Sequence, residues 1–181
     1  INNSRQVVGT VQTAQGKRAF LWSSGKGLTL LPPLAGDDSS AASRINQAGI
    51  VAGTSTGPRG THAVLWNASG DVRDLGTLPS GTYSAAYDIS DSGEAVGVSD
   101  TSLGARAFLW TAQGGMLDLN SAIPADANVL LTAAQAINSR GQIVAIGTMN
   151  HDPSNDRPSD MDDNEHAGPI HLFLLTPVGL P

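Results

Sequence analysis

The sequence predicts an all-β fold, a β-propeller built from four-stranded blades about 44 residues long. Three observations carry this. The motif Ala107-Phe108-Leu109-Trp110 has counterparts at Ala19-Phe20-Leu21-Trp22, Ala63-Val64-Leu65-Trp66 and Leu172-Phe173-Leu174-Leu175, with 44 residues from Trp22 to Trp66 and 44 again to Trp110. A fixed period of that length marks a repeat architecture, in which no single unit can bury its apolar face alone. Composition is the second: 21 glycines and only 14% charged residues, with no sustained helical periodicity, favour many short strands joined by glycine turns. Third, Ala41-Ala42, Ala85-Ala86 and Ala133-Ala134 stand at equal offsets before Ile45, Ile89 and Ile137. Small side chains suit innermost strands, where blades converge on an axis. A β-solenoid is the alternative architecture.

The repeats align on Ile1-Asn2, Ile45-Asn46, Ile89-Ser90 and Ile137-Asn138, giving units 1–44, 45–88, 89–136 and 137–181 within a single domain. The inner strands are predicted over Ser40 to Ile45, Ser84 to Ile89 and Thr132 to Ile137. A tight turn follows each, ending on Gly49, Gly93 and Gly141, where glycine can take positive φ; Arg5 stands in that place in the first copy. The second strands are Gln6 to Val11, Ile50 to Ser55, Ala95 to Ser99 and Gln142 to Thr148, carrying Gly9, Gly53 and Gly97 at one shared position and Ala145 in the last copy. The Ala-Phe-Leu-Trp segments are the third strands, and Leu28 to Leu31, Val72 to Leu78 and Met116 to Leu119 the fourth. Tryptophans on the third strands are expected to pack one blade on the next. A ring of sugar-stacking tryptophans would need them exposed.

The chain opens inside a blade: three strands, two sets of four, then three more, fourteen in all. The first blade lacks its inner strand and the last its outer one. An upstream segment of roughly 20 residues, supplying one outer and one inner strand, would complete both at once. Without it, an open arc exposes apolar blade faces and is expected to pair with a second copy as a homodimer.

Net charge is −6, and the ten basic residues are scattered apart from Lys17-Arg18, so there is no nucleic-acid signature. The absence of cysteine excludes disulfides, thiolate metal sites and a cysteine nucleophile. No apolar run approaches the roughly 20 residues of a membrane-spanning helix. The chain begins at Ile1 rather than Met, as after processing or trimming. An acidic insertion, His151 to Pro169, precedes the last Phe-Leu-Leu strand and holds six acidic residues against Arg157, nearly the whole net charge. Within it Asp160, Asp162 and Asn164 have the alternating spacing of a calcium loop. Glu165 and His171 then stand where such a loop needs glycine and glutamate, so a solvated acidic loop is the competing interpretation. His151, His166 and His171 match no zinc-site spacing, and His171 aligns with Arg18, His62 and Arg106 as a polar strand entrance. No nucleophile elbow, phosphate loop or convergent set of catalytic groups is present, and no catalytic residue is assigned.

The segments Ile45-Asn46…Gly49…Gly53, His62-Ala63-Val64-Leu65-Trp66 and Asp74-Leu75-Gly76-Thr77-Leu78 recur at Ile89…Gly93…Gly97, Arg106-Ala107-Phe108-Leu109-Trp110 and Leu117-Asp118-Leu119-Asn120. Together with Ile137-Asn138…Gly141-Gln142-Ile143-Val144 and the ending His171-Leu172-Phe173-Leu174-Leu175-Thr176-Pro177, this pattern resembles the HAF repeat family, extracellular bacterial repeats named for a His-Ala-Phe motif. The resemblance covers nearly the whole chain and departs from the pattern at Arg5 and Ala145. It implies a propeller in a secreted or surface location and brings no established activity. The expected function is therefore non-catalytic binding or scaffolding, with a protein or carbohydrate ligand. A carbohydrate hydrolase or lyase on a propeller, or a structural repeat stabilised by calcium, are the alternatives.

Overall fold

The computed structural model of the chain describes residues 1–149 and 169–177. It is all-β: fourteen strands in four antiparallel sheets, none of them closed on itself. Sheet A holds β1 (Val7–Thr13), β2 (Gly16–Ser23) and β3 (Gly27–Leu31). Sheet B holds β4 (Ser39–Ile45), β5 (Val51–Gly57), β6 (Gly60–Trp66) and β7 (Val72–Asp74). Sheet C holds β8 (Ser84–Ile89), β9 (Ala95–Thr101), β10 (Gly104–Thr111) and β11 (Gly115–Asp118). Sheet D holds β12 (Val129–Ile137), β13 (Ile143–Met149) and β14 (Ile170–Leu175). Each sheet is a meander of consecutive strands, and no sheet runs across from one set to the next.

Two strand boundaries differ from expectation. β7 stops at Asp74, because the Asp74 carboxylate accepts the Gly76 N–H at 2.8 Å and Gly76 turns the chain at φ 73°. β12 begins at Val129, three residues early, and carries two register shifts against β13 where β4 and β8 carry one each. The acidic insertion, with the proposed calcium ligands Asp160, Asp162 and Asn164, lies outside the described residues.

Arg5 adopts φ 57°, the conformation that Gly49, Gly93 and Gly141 take in the equivalent turns. A side chain there strains the left-handed backbone. Arg5→Gly is expected to raise stability by ~0.5 kcal/mol in urea denaturation, the relief of strain outweighing the freer unfolded chain.

The sheets pack face to face in chain order, and the packing follows one rule. Directly opposed residues of neighbouring strands share a face. On sheet A, Val8, Ala19, Leu21 and Leu31 turn toward sheet B and meet Val51, Val64 and Trp66. The other face of sheet B, with Ala52, Ala63, Leu65 and Leu75, meets Ala95, Phe108 and Trp110 of sheet C. Sheet C then offers Val96, Ala107 and Leu109 to Ile143, Ala145, Phe173 and Leu175 of sheet D. In each junction the first strand of the later sheet also lies against the earlier sheet. Trp66 is fully buried and Trp110 is 5% exposed, so both are core residues. Trp22 is 40% exposed, because no described sheet covers its face.

Buried serines make these junctions specific. The Ala19 and Ala63 N–H groups donate to the hydroxyls of Ser40 and Ser84 on the next inner strand, at 3.0 and 2.8 Å. Those hydroxyls donate onward to the carbonyls of Leu31 and Gly76. Ser55 and Ser99 accept the Leu34 and Leu78 N–H groups, each at 2.9 Å. A hydroxyl both donates and accepts, so one small side chain satisfies two backbone groups that the diverging strands leave unpaired.

Candidate functional site

The inner strands β4, β8 and β12 lie side by side, and each is interrupted by a β-bulge at the same place. The shifts fall between Ala42 and Arg44, between Ala86 and Asp88, and between Ala134 and Ala136. The extra residues are Ser43, Tyr87 and Gln135. A bulge leaves its extra residue out of the ladder and re-aims its side chain. Ser43 and Gln135 are exposed and Tyr87 is half-buried.

Asp88 holds these three strands in common register. Its Oδ1 accepts Arg44 Nε from β4 at 3.0 Å and its own strand's Ile89 N–H at 2.9 Å. Its Oδ2 accepts the Ile137 N–H from β12 at 3.0 Å. The carboxylate is buried and ties β4, β8 and β12 at the level of their bulges. Arg44, whose side chain is 64% exposed, keeps its guanidinium at the surface beside them.

Polar stitches one turn further along hold the same alignment. Asn2 Nδ2 donates to the Asn46 carbonyl at 2.9 Å, and Asn46 Nδ2 to the Ser90 carbonyl at 3.0 Å, each across 44 residues. Asn46 Oδ1 meanwhile accepts the Ile50 N–H and closes its own turn. The Asn of the Ile-Asn motif thus shapes one turn and fastens it to the next.

Burial is the main reason the Tyr87 phenol titrates above its ordinary value, and the neighbouring Tyr83 phenol adds to the shift. The phenol therefore stays neutral and able to donate a hydrogen bond across the physiological range. The surface presents a serine hydroxyl, a phenol, an amide and one guanidinium. Its one carboxylate is saturated by structural hydrogen bonds. Such a set can bind a polar ligand and lacks a free acid–base pair for hydrolysis.

Other sequence features resolve into structural roles. His62 Nδ1 lies 3.0 Å from both carboxylate oxygens of Asp74, so the histidine of the His-Ala-Val motif meets the aspartate of Asp-Leu-Gly across β6 and β7. Arg106 Nε and Asp118 Oδ2, at the same positions in sheet C, are 4.0 Å apart. His171 is exposed, its ring 6.2 Å from that of Phe173. Arg73 stacks over the Trp110 ring at 4.7 Å in a groove of about 410 Å³ between sheets B and C, covering the ring that a sugar would need.

Asp37 was expected to be exposed in a turn, but its side chain is only 4% exposed. Gly57 makes room for it, Ser55 Oγ donates to its Oδ2 at 2.6 Å, and Arg59 approaches Oδ1 at 3.6 Å. In the next repeat the geometry is inverted: Asp100 reaches from the strand over Gly81 and accepts the Thr82 and Tyr83 N–H groups at 2.8 Å. Among the described residues no group of three or more His, Cys, Asp or Glu side chains is placed to hold a metal ion.

The bulge residues could not be found from composition. The only signal was that Ser43, Tyr87 and Gln135 are each the second residue before the Ile of the repeat, where the pattern changes from small to polar. No protein-family model matches the chain, and no curated protein matches it either.

Proposed function

We propose that this chain is a propeller-type repeat domain of a secreted or surface bacterial protein that binds a polar ligand without transforming it. The propeller reading rests on four meander sheets packed in chain order with their first strands adjacent. A solenoid would instead pair equivalent strands of successive repeats, and here each sheet is confined to one set of consecutive strands. Location rests on the resemblance to HAF repeats.

The observation that carries binding is the Asp88 hub, which brings three bulges to one level and turns Ser43, Tyr87 and Gln135 out of their sheets. Neutral donors and acceptors beside a half-buried phenol suit a polyhydroxylated ligand, an oligosaccharide, because each hydroxyl needs a partner that both donates and accepts. Saturation of Asp88 is what favours binding over a hydrolase or lyase.

The test is calorimetric titration against a panel of neutral oligosaccharides. A binding oligosaccharide should lose roughly fivefold in affinity on Tyr87→Phe and again on Gln135→Ala, about one hydrogen bond each. It should be recovered chemically unchanged after long incubation. Affinity indifferent to both substitutions, or cleavage of the sugar, would sink this reading.

A further inference from the structure

The packing rule leaves two apolar faces without a partner among the described sheets. On sheet A, opposed pairing puts Val7, Trp22 and Leu28 on one face with Gly9, Phe20 and Leu30. This face corresponds to those of sheets B and C that carry the buried Trp66 and Trp110. On sheet D, Val144 with Leu174, Ile146 with Leu172, and Thr148 with Ile170 form the opposite kind of face. It corresponds to the face that sheets A, B and C each turn toward the next sheet. Ile170 and Leu172 are both 75% exposed.

We infer that a second copy of this chain covers these faces head to tail, sheet D of one copy packing on sheet A of the other. The contact continues the interface already made three times within the chain, from one sheet's forward face to the next sheet's tryptophan face. Two substitutions within the repeat fit a second copy in particular. Leu172 stands where Ala19, Ala63 and Ala107 are fully buried in the three internal junctions. At the first two, the next inner strand lies so close that its serine hydroxyl bonds the alanine N–H. A complete four-stranded unit would bring such a strand against Leu172 and collide with it.

Sheet A has no strand beyond β1, and the larger leucine fills the space left open there. Leu30, in turn, replaces Asp74 and Asp118 of the other sheets, so an acidic position has become apolar on the open face. Head-to-tail contacts of this kind pair two different surfaces, so each face can be broken separately.

Light scattering on the 181-residue chain tests this. The expected mass is at least twice that of one chain, and it should fall to one chain in Leu172→Asp and, separately, in Leu30→Asp. Leu30→Asp restores the residue that the fold carries in sheets B and C. Leu174→Lys replaces Leu172→Asp if that variant does not fold by circular dichroism. Mixing the two variants should recover a species of two chains, because one retains an intact sheet A face and the other an intact sheet D face. A wild-type chain that stays monomeric throughout a concentration series overturns the inference. So does an assembly that survives either substitution, or a mixture that remains monomeric.

Discussion

Trp66→Ala should lower stability by ~3–5 kcal/mol, the range for emptying a buried aromatic site. The indole is fully buried between sheets A and B, and its Nε1–H donates to the Pro32 carbonyl at 2.7 Å. Alanine would leave a cavity against Leu31, Val51 and Val64 and strand that carbonyl without its partner. The same change at Trp22, an identical residue in the first repeat, should cost only about 1 kcal/mol, because part of that ring already faces water. Urea denaturation of both variants in a Leu172→Asp background makes the comparison, since association through sheet A then contributes nothing. Equal losses at the two tryptophans would show that the repeat position, and not the junction, sets the energy.

Gly97→Ala should cost ~2–4 kcal/mol, at or above the usual range for overpacking. Its position lies under the bulge of β8, where a Cβ would overlap the Ala85 carbonyl and stand 3.0 Å from the Phe108 ring. A backbone carbonyl held in a ladder cannot turn aside as a flexible side chain can. Gly9 occupies the same repeat position in sheet A, which has no inner strand, and a Cβ there would meet only the Phe20 ring, at 2.9 Å. Gly9→Ala should therefore cost about 1 kcal/mol or less. Comparable midpoints for the two variants in chemical denaturation would count against the bulge as the cause.

Ala145 shows that the glycine requirement belongs to the bulge. It stands at the Gly97 position in the last repeat, yet it is fully buried without conflict. The extra register shift of β12 between Leu131 and Ala133 moves the close approach along the strand, so that Gly147 now lies under the Leu130 carbonyl. A missing glycine in the pattern thus marked a strand with an additional bulge. Arg5 is the simpler departure: the turn kept its shape, and the arginine took the strained conformation.

The candidate site was much less legible than the fold. The equal spacing of Ile-Asn, Gly and Ala-Phe-Leu-Trp placed all fourteen strands, since periodic burial must be written into periodic side chains. The small inner-strand residues looked like a packing feature. Ser40, Ser84, Ser55 and Ser99 turned out to carry the hydrogen bonds between sheets. Asp88 and Asp37 read as ordinary polar residues, and both are buried by partners distant in the chain.

By itself the sequence determined the all-β class, the repeat length and the order of strands, because local pattern and turn chemistry decide which residues can share a face. Only the tertiary structure decided which equivalent residues are buried, which bulges align and which faces stay open. Trp22 and Trp66 are the same residue in the same motif, and they differ because a sheet covers one and not the other. Solvent exclusion depends on the neighbour as well as on the residue, and no repeat carries its neighbour in its own sequence.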